Sequence, residues 1–186
     1  MRVIAGSNKG RKLHTAAGLE TRPTSDMLKG MLFNILAWRC QDAHVLDLCA
    51  GSGALGIEAL SRGAAHATFV EQQRQSLDAL KANLAACQVQ DRGVVYANDV
   101  LRFLPGFKPN EAIDLVFFDP PYSGTLHLPV LHILGGVQWL APEAIVIVEH
   151  HKKEDLPEEV LLLRRYRQSG HGSSVLSFYR PSDEDA

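Results

Sequence analysis

The chain has 186 residues, of which 46% are hydrophobic and 22% charged, and its formal net charge is −2. These values indicate one globular domain with a sizeable core, and no apolar run reaches the length of about 18 residues that a membrane span needs. Three cysteines without a C-x-x-C spacing argue against a disulfide framework and a zinc site. The N-terminus lacks the apolar stretch of a signal peptide, so we expect a reduced, cytoplasmic protein.

The charges are unevenly distributed along the chain. The first 40 residues carry seven basic and two acidic side chains, whereas the remaining 146 carry 12 basic and 19 acidic ones. A basic N-terminal segment on an acidic body indicates either a local anionic partner or an ordinary solvated surface, and charge alone does not separate the two.

Hydrophobic periodicity predicts the elements in chain order. Residues 2–13 predict two short strands around a glycine-containing turn, and an amphipathic helix follows "TRPTSD". From residue 44 the predicted strands are "HVLDL", "HATFVE", "GVVYAND", "AIDLVFFD" and "AIVIVEH", and the helices between them are "GALGIEALSRG", "RQSLDALKANLAAC" and "TLHLPVLHIL". The segments "EVLLLRRYRQ" and "SSVLSFYR" then predict a hairpin joined by "SGHGSS".

Repeated strand–helix units predict an α/β, Rossmann-like fold with a mostly parallel seven-stranded sheet and helices on both faces. The closing hairpin adds antiparallel strands at one edge, and the N-terminus adds a small β-hairpin. We expect an N-terminal extension over residues 1–22, a main domain over residues 23–181 and a disordered acidic tail over residues 182–186.

The segment "DLCAGSGALG" is the first candidate site. Gly51, Gly53 and Gly56 match G-x-G-x-x-G, in which missing side chains let a ligand approach the backbone. Glu71 ends the next strand, where a carboxylate accepts hydrogen bonds from ribose hydroxyls. Asp47 would repel a pyrophosphate but attract the sulfonium and amino groups of S-adenosylmethionine, although it could simply bond backbone N–H groups of the loop. Together these residues favour a cationic nucleoside cofactor over a dinucleotide.

A second candidate site follows the strand "IDLVFF". Asp119-Pro120-Pro121-Tyr122 joins two prolines of fixed φ to a carboxylate and an aromatic ring. Asp119 and the Pro120 carbonyl would form a rigid pair of acceptors, and Tyr122 would offer a face for stacking. Alone this segment would indicate only a stiff turn. Beside a nucleoside-cofactor loop, it favours binding of a planar ring with an exocyclic amine.

These motifs resemble those of known enzymes. "VLDLCAGSGALGIEAL", "FVE" and "FFDPPY" are similar to the cofactor loop, the ribose-binding acid and the amine-methylation motif of class I S-adenosylmethionine-dependent methyltransferases. With "MRVIAGSNKGRKL", "TRPTSD", "LFNIL" and "LSFYR", nearly the whole chain resembles the bacterial small-subunit ribosomal RNA guanine-N2 methyltransferases. The resemblance implies methylation of the exocyclic N2 amine of one guanine, position 966 of 16S RNA, in the assembled small subunit.

Residue roles follow from this resemblance. The cofactor S-adenosyl-L-methionine would bind at Asp47, Ala50, Gly51, Gly53, Glu71, Asp99 and Val100. Asp99 would bond the adenine amine of the cofactor, although a helix N-cap explains this residue equally well. Asp119 and the Pro120 carbonyl would bond both N–H groups of the guanine amine and favour the positive charge that develops there. The proton would go either to Asp119 or to water.

The target base must leave its stack to enter such a pocket. We expect the N-terminal hairpin and the "TRP" segment to clamp the RNA backbone while Tyr122 stacks on the extruded base. The phosphate-binding candidates are Lys9, Arg11, Lys12 and Arg22. No metal is expected, because neither the five-residue spacing of His127 and His132 nor the adjacent pair His150 and His151 suits a helical metal site.

Other functions stay open from the sequence. An adenine-N6 DNA or RNA methyltransferase uses the same D-P-P-Y chemistry but normally needs a target-recognition region, for which 186 residues leave little room. A protein-glutamine methyltransferase would prefer Asn at position 119. A dinucleotide-dependent oxidoreductase explains the glycine loop but not D-P-P-Y, and a non-catalytic RNA-binding module explains neither set of acceptors.

Overall fold

The alternating sequence pattern forms a central sheet with helices on both faces. The computed structural model describes residues 1–15, 23–121 and 125–182. The strands are β1 His44–Leu48, β2 His66–Glu71, β3 Gly93–Ala97, β4 Ile113–Phe118, β5 Leu140–His151, β6 Glu159–Val160, β7 Leu163–His171 and β8 Ser174–Pro181. The helices are α1 Pro23–Leu36, α2 Ala54–Ser61, α3 Arg74–Ala86, α4 Val100–Phe103 and α5 His127–Gly135, with short 3₁₀ turns at Ala37–Cys40, Gln90–Arg92 and Leu104–Gly106.

The strand order positions the functional site. The sheet runs β3-β2-β1-β4-β5-β8-β7-β6, in which the first five strands are parallel and the last three continue as antiparallel neighbours. The chain switches between the two halves of the sheet at β1 and β4. Ligands of open α/β sheets bind beyond the carboxyl ends of the strands at such a switch point. The loops that follow β1 and β4 therefore meet at this edge.

Side chains of the central strands alternate between two apolar layers. The layer shared with α1, α2 and α3 contains Val45, Leu115, Phe117, Ile145 and Ile147. The layer shared with α4 and α5 contains Leu46, Leu48, Val116, Phe118, Val146 and Val148. Because helices cover both faces, these strands are continuous apolar runs, as is typical of parallel sheets. Asp47 interrupts this pattern, since it is a buried carboxyl on the face of Val45.

The N-terminal segment forms less regular pairing than the two strands that the sequence predicts. One antiparallel bridge joins Arg2 to Lys12, and the N–H of Val3 donates to the carbonyl of Arg11 at 2.9 Å. Within the segment, the N–H of Gly10 also donates to the carbonyl of Val3 and the N–H of Leu13 to that of Met1. Further hydrogen bonds join the segment to side chains of α2 and α3, so its own pairing and its neighbours hold it together. Residues 16–22 of the predicted extension lie outside the described residues.

A buried ionic cluster fastens this segment to α1 and α2. Glu58 is fully buried, and its carboxylate accepts hydrogen bonds from the N–H groups of Ile4 at 2.7 Å and Ala5 at 3.0 Å. Arg62 Nε lies 2.8 Å and Lys29 Nζ 3.3 Å from the same carboxylate. Burial lowers the pKa of Lys29, although Glu58 acts in the opposite direction. Glu58 thus has four donors from inside the protein.

Three details differ from the sequence-based prediction. The described residues form eight strands rather than seven, because the two-residue β6 extends the edge hairpin. Helix α1 begins at Pro23, inside "TRPTSD" rather than after it, since proline fits the first position of a helix. Helix α4 was not predicted, because four residues carry too little periodicity. No helix in the described ranges is long and apolar enough to cross a membrane.

Candidate active site

A cavity of about 650 Å³ lies at the carboxyl ends of the central strands. Leu28 and Leu32 of α1 line one side, and Phe117, Ile147 and Leu176 from the sheet line another. Its polar lining includes four carboxylic acids from four strand ends or turns, namely Asp47, Glu71, Asp119 and Glu149. The cavity therefore combines apolar walls with acidic groups at one rim.

The glycine loop after β1 takes its shape from positive backbone angles. The φ angle is 57° at Cys49, 56° at Gly51 and 78° at Gly53, in the left-handed region that favours glycine. A Cβ on Gly51 would meet nothing within 4 Å, so the backbone here is open to a ligand. A Cβ on Gly53 would overlap the side chain of Leu80. Gly53 therefore allows α3 to pack closely, whereas Gly51 leaves room on the ligand side.

Asp47 lies near the end of β1 and is only 2% exposed. Its Oδ2 accepts the N–H of Gly56, in the first turn of α2, at 2.9 Å. Burial raises the pKa of Asp47 to about 8, the charge of Glu71 adds to this effect, and the Gly56 hydrogen bond opposes it. Asp47 thus makes the backbone bond that the sequence offered as its alternative role, and it also lines the cavity. A cation bound nearby would favour its charged form.

Glu71 connects the glycine loop to β2. Its Oε2 accepts the N–H of Gly51 at 2.8 Å, and its Oε1 accepts the N–H groups of Gln72 and Gln73, both at 2.8 Å. These three bonds fix the carboxylate at the cavity wall. A carboxylate offers about four acceptor positions, so capacity remains for a ligand hydroxyl.

The turn after β4 brings another acid to the cavity. Phe118 pairs with Val148 of β5, so the residues that follow, Asp119 and Glu149, are neighbours across the two strands. The side chain of Asp119 keeps an exposed surface. Desolvation by the surrounding protein raises its pKa well above the usual range, and the charges of Glu149 and Asp47 add to the effect. Pro120, buried, and Pro121, exposed, also line the cavity.

The structure brings most of the predicted cofactor residues to this cavity, namely Asp47, Ala50, Gly51, Glu71 and Val100. Gly53 and Asp99 are not among the described lining residues. Asp99 instead caps α4, since its Oδ1 accepts the N–H groups of Leu101 at 3.0 Å and Arg102 at 3.1 Å. Of the predicted RNA contacts, Lys9, Arg11 and Lys12 are exposed on the N-terminal segment and do not line the described cavity. Arg22 and Tyr122 lie outside the described residues.

Comparison with known proteins assigns the chain to a family. Residues 1–180 match the sequence profile of the family described as conserved hypothetical protein 95. The chain is 40% identical over 180 residues to ribosomal RNA small subunit methyltransferase D of Escherichia coli K12, covering 97% of this chain and 89% of that protein. It is 37% identical over 181 residues to YlbH of Bacillus subtilis, provisionally named an rRNA methyltransferase, covering 97% and 98%. The chain belongs to this methyltransferase family.

A solved structure of the family has the same architecture. The Escherichia coli protein yhhF superimposes with a TM-score of 0.85 at 33% identity, and the match covers 98% of both chains. The resemblance stated from the sequence motifs and the class I methyltransferase fold are therefore both confirmed.

Two residues that support the family's site were not singled out from the sequence. Asn83 of α3 is fully buried, and its Nδ2 donates to the carbonyls of His14 and Ser52, each at 2.9 Å. Its Oδ1 accepts the N–H of His14 at 2.7 Å, so one amide joins the N-terminal segment, α3 and the glycine loop. Glu149 was included only as part of a predicted strand. An acid at the end of an apolar strand, as at Glu71, was the signal that could have found it.

Other reactive side chains have structural surroundings. Burial and the neighbouring carboxylates raise the pKa of the Cys49 thiol to about 12, which keeps it protonated and unsuited to nucleophilic attack. His127 Nδ1 lies 3.0 Å from Glu154 Oε2, and His150 Nε2 lies 2.9 Å from Ser177 Oγ. Within the described ranges, no group of three or more His, Cys, Asp or Glu side chains is placed to hold a metal ion.

Proposed function

We propose that this chain transfers a methyl group from S-adenosylmethionine to the exocyclic N2 amine of a guanine in small-subunit ribosomal RNA. One observation carries the proposal: the glycine loop with Asp47 and the Asp119-Pro120 turn line the same cavity. A cofactor with a positive centre and a base with an amine can therefore meet in one cavity. The names of relatives that match almost the whole chain support ribosomal RNA as the substrate.

The residues on the β1–β2 side of the cavity fit S-adenosylmethionine. The open space at Gly51 gives the cofactor access to the backbone, and Asp47 and Glu71 offer carboxylates to cationic groups and ribose hydroxyls. Ala50 and Val100 complete this side, and Asp99 contributes Oδ2, the oxygen that does not cap α4. When bound, the cofactor supplies the electrophilic methyl group.

Asp119 and Pro120 act on the amine. Guanine N2 is a weak nucleophile because its lone pair is delocalised into the ring. Hydrogen bonds from its two N–H groups to the Asp119 carboxylate and the Pro120 carbonyl orient the amine and stabilise the positive charge that develops on it. The raised pKa of Asp119 suits this carboxylate to accept the proton afterwards. Pro121 stiffens the turn, and Tyr122 stacks on the base.

The RNA approaches along the N-terminal segment. Met1 and Thr15 line the cavity, so the two ends of this segment reach the site, whereas Asn8 at its turn bonds Ser61 at the far end of α2. Arg11 and Lys12 therefore lie nearer the cavity than Lys9. We propose that they bind phosphates together with Arg22, with Lys9 as a more distant contact. A ribosomal substrate implies that the enzyme works in the cytoplasm.

Methyl transfer from labelled S-adenosylmethionine tests this proposal. The acceptors are small ribosomal subunits that lack the modification, the same RNA without proteins, and DNA, and the labelled nucleoside is then identified. Label in N2-methylguanosine from subunits is the expected result. Label in N6-methyladenosine would show that the enzyme is an adenine-N6 methyltransferase. Cofactor binding without label in any acceptor would contradict a nucleic-acid substrate.

A further inference from the structure

We infer that Glu149 selects guanine, because its carboxylate accepts the N1–H of the base whose N2 amine is held by Asp119 and Pro120. The inference rests on the proposed function and adds to it the feature of the base that the site recognises. Glu149 is then a specificity-determining residue that touches the substrate.

The sheet register places Glu149 beside Asp119. Phe118, the last residue of β4, pairs with Val148 of β5, and paired strands lie about 4.8 Å apart, so Asp119 leaves β4 beside Glu149. Alternation along the strands puts both acids on the face of Phe117 and Ile147. These two apolar side chains are buried beneath the cavity wall, so the acids stand on an apolar layer where the edge of a base can meet the carboxylates.

Electrostatics agree with this placement. The charge of Glu149 is the largest contribution after burial to the raised pKa of Asp119, which requires the two carboxylates to be close. A ligand that offers N–H donors to both carboxylates relieves their repulsion, whereas a ligand with a lone pair facing either one increases it.

Glu149 is held on a rigid part of the fold. Its backbone pairs with Leu176 of β8, and β4 lies on the other side of β5. The backbone carbonyl of Glu149 lies 3.1 Å from Nε2 of His127, which is buried. The Nδ1 atom of the same ring lies 3.0 Å from the carboxylate of Glu154. Pairing with β8 at Glu149 and with β4 up to Val148 gives this side chain the defined backbone position that reading a base needs.

The chemistry of the base edge explains the selection. Next to its amine, guanine presents three N–H hydrogens, two on N2 and one on N1. Asp119 and the Pro120 carbonyl match the first two, and Glu149 matches the third with a charge-assisted hydrogen bond. Adenine also has an amine, but its neighbouring N1 is an acceptor with a lone pair, which a carboxylate repels. The third acceptor thus separates the guanine reaction from the adenine reaction that shares D-P-P-Y.

A guanine analogue without the N1–H tests the inference. Small subunits are reconstituted from ligated RNA that carries guanine or 2-aminopurine at the modified position. 2-Aminopurine keeps the N2 amine but lacks O6 and has a lone pair in place of the N1 hydrogen. The missing O6 affects wild type and variant alike, so the change in ratio between the two proteins reports on N1. We expect the wild-type protein to prefer guanine in kcat/KM, and Glu149→Gln to lower that guanine-to-2-aminopurine ratio by about 10- to 100-fold, since a glutamine amide can donate to N1. Transfer to 2-aminopurine by the variant would also show that it is folded.

The controls separate this inference from the proposed function. Glu143→Gln alters an exposed acid on the same strand and should keep the wild-type ratio, and Glu149→Gln should bind S-adenosylhomocysteine within about twofold of wild type. A wild-type ratio in Glu149→Gln, with N2-methylguanosine formed by both proteins, would overturn the inference alone. Label in adenine from the wild-type protein would overturn the proposed function and the inference together.

Discussion

Two buried acidic residues of this protein have opposite surroundings. Glu58 receives four donors from the chain itself, two from backbone N–H groups and two from Lys29 and Arg62. Asp47 is equally buried, but in the described part of the chain its carboxyl accepts a hydrogen bond from Gly56, and burial raises its pKa to about 8. The comparison indicates that Glu58 stabilises the fold, and we propose that Asp47 instead holds a ligand with positive charge.

The same contrast distinguishes two regions. The N-terminal segment is attached through its backbone to two buried side chains of the helices, Glu58 of α2 and Asn83 of α3. The rim at the ends of β1, β4 and β5 instead gathers Asp47, Asp119 and Glu149 around an open cavity. Substitutions in the first region should lower stability, whereas those in the second should change the chemistry and, at Asp47, the dependence of stability on pH. The expected effects are largest for the residue that contacts the reacting amine and smallest for the basic residues of the N-terminal segment.

The largest effect is expected at Asp119. Asp119→Ala removes an acceptor of the reacting amine, so the single-turnover rate of methyl transfer should fall by about 10²- to 10³-fold. Affinity for S-adenosylhomocysteine should change by less than about threefold. Asp78→Ala, at an exposed acid of α3, is the control that keeps the rate. A near-normal rate in Asp119→Ala would remove this residue from the mechanism.

Glu58→Gln should destabilise the protein by about 3 kcal/mol, because Lys29 and Arg62 lose the charge that compensates them in a buried cluster. Urea unfolding gives the free energy, and Glu111→Gln at an exposed position serves as the control. Unchanged stability in Glu58→Gln would contradict the structural half of the comparison.

Asp47→Asn should raise the free energy of unfolding at high pH, whereas Glu58→Gln lowers it. The folded protein keeps a proton on Asp47 up to about pH 8, whereas the unfolded chain releases it near pH 4, so wild-type stability falls as the pH rises between these values. Asparagine abolishes this loss. Relative to wild type, the variant should therefore gain about 1–3 kcal/mol between pH 6 and pH 8, measured by urea unfolding at both. It should also bind S-adenosylmethionine more weakly. An unchanged pH dependence would refute the account of Asp47.

The smallest effect is expected in the basic segment. Lys12→Ala should weaken binding to small subunits and lower the slope of log affinity against log salt concentration by about one, because one phosphate contact is lost. Lys9→Ala should have less effect, since Lys9 lies at the turn farther from the cavity. Equal salt slopes in Lys12→Ala and wild type would show that the segment does not hold RNA there.

The bounds of the strands that carry the site could be predicted from the sequence, whereas contacts between side chains of different strands and helices could not. β1 and β2 coincide with the predicted segments "HVLDL" and "HATFVE", because in both the apolar residues continue to the last or the next-to-last position of the strand. The meeting of Asp47 with the Asp119 turn followed from the rule for parallel sheets. Glu149 could not be assigned, because its position beside Asp119 depends on β5 lying next to β4 in register. Asn83 could not be assigned either, since its bond to His14 joins residues 69 apart.

The most direct test of the central claim locates the transferred methyl group on a single atom. Small subunits are prepared with RNA whose guanines carry ¹⁵N at the exocyclic amine, methylated by the protein, and digested, and the methylated base is fragmented in a mass spectrometer. The account predicts that the new methyl group stays attached to ¹⁵N. A methyl group on a ring nitrogen of guanine, or on adenine, would contradict the role assigned to Asp119 and Pro120.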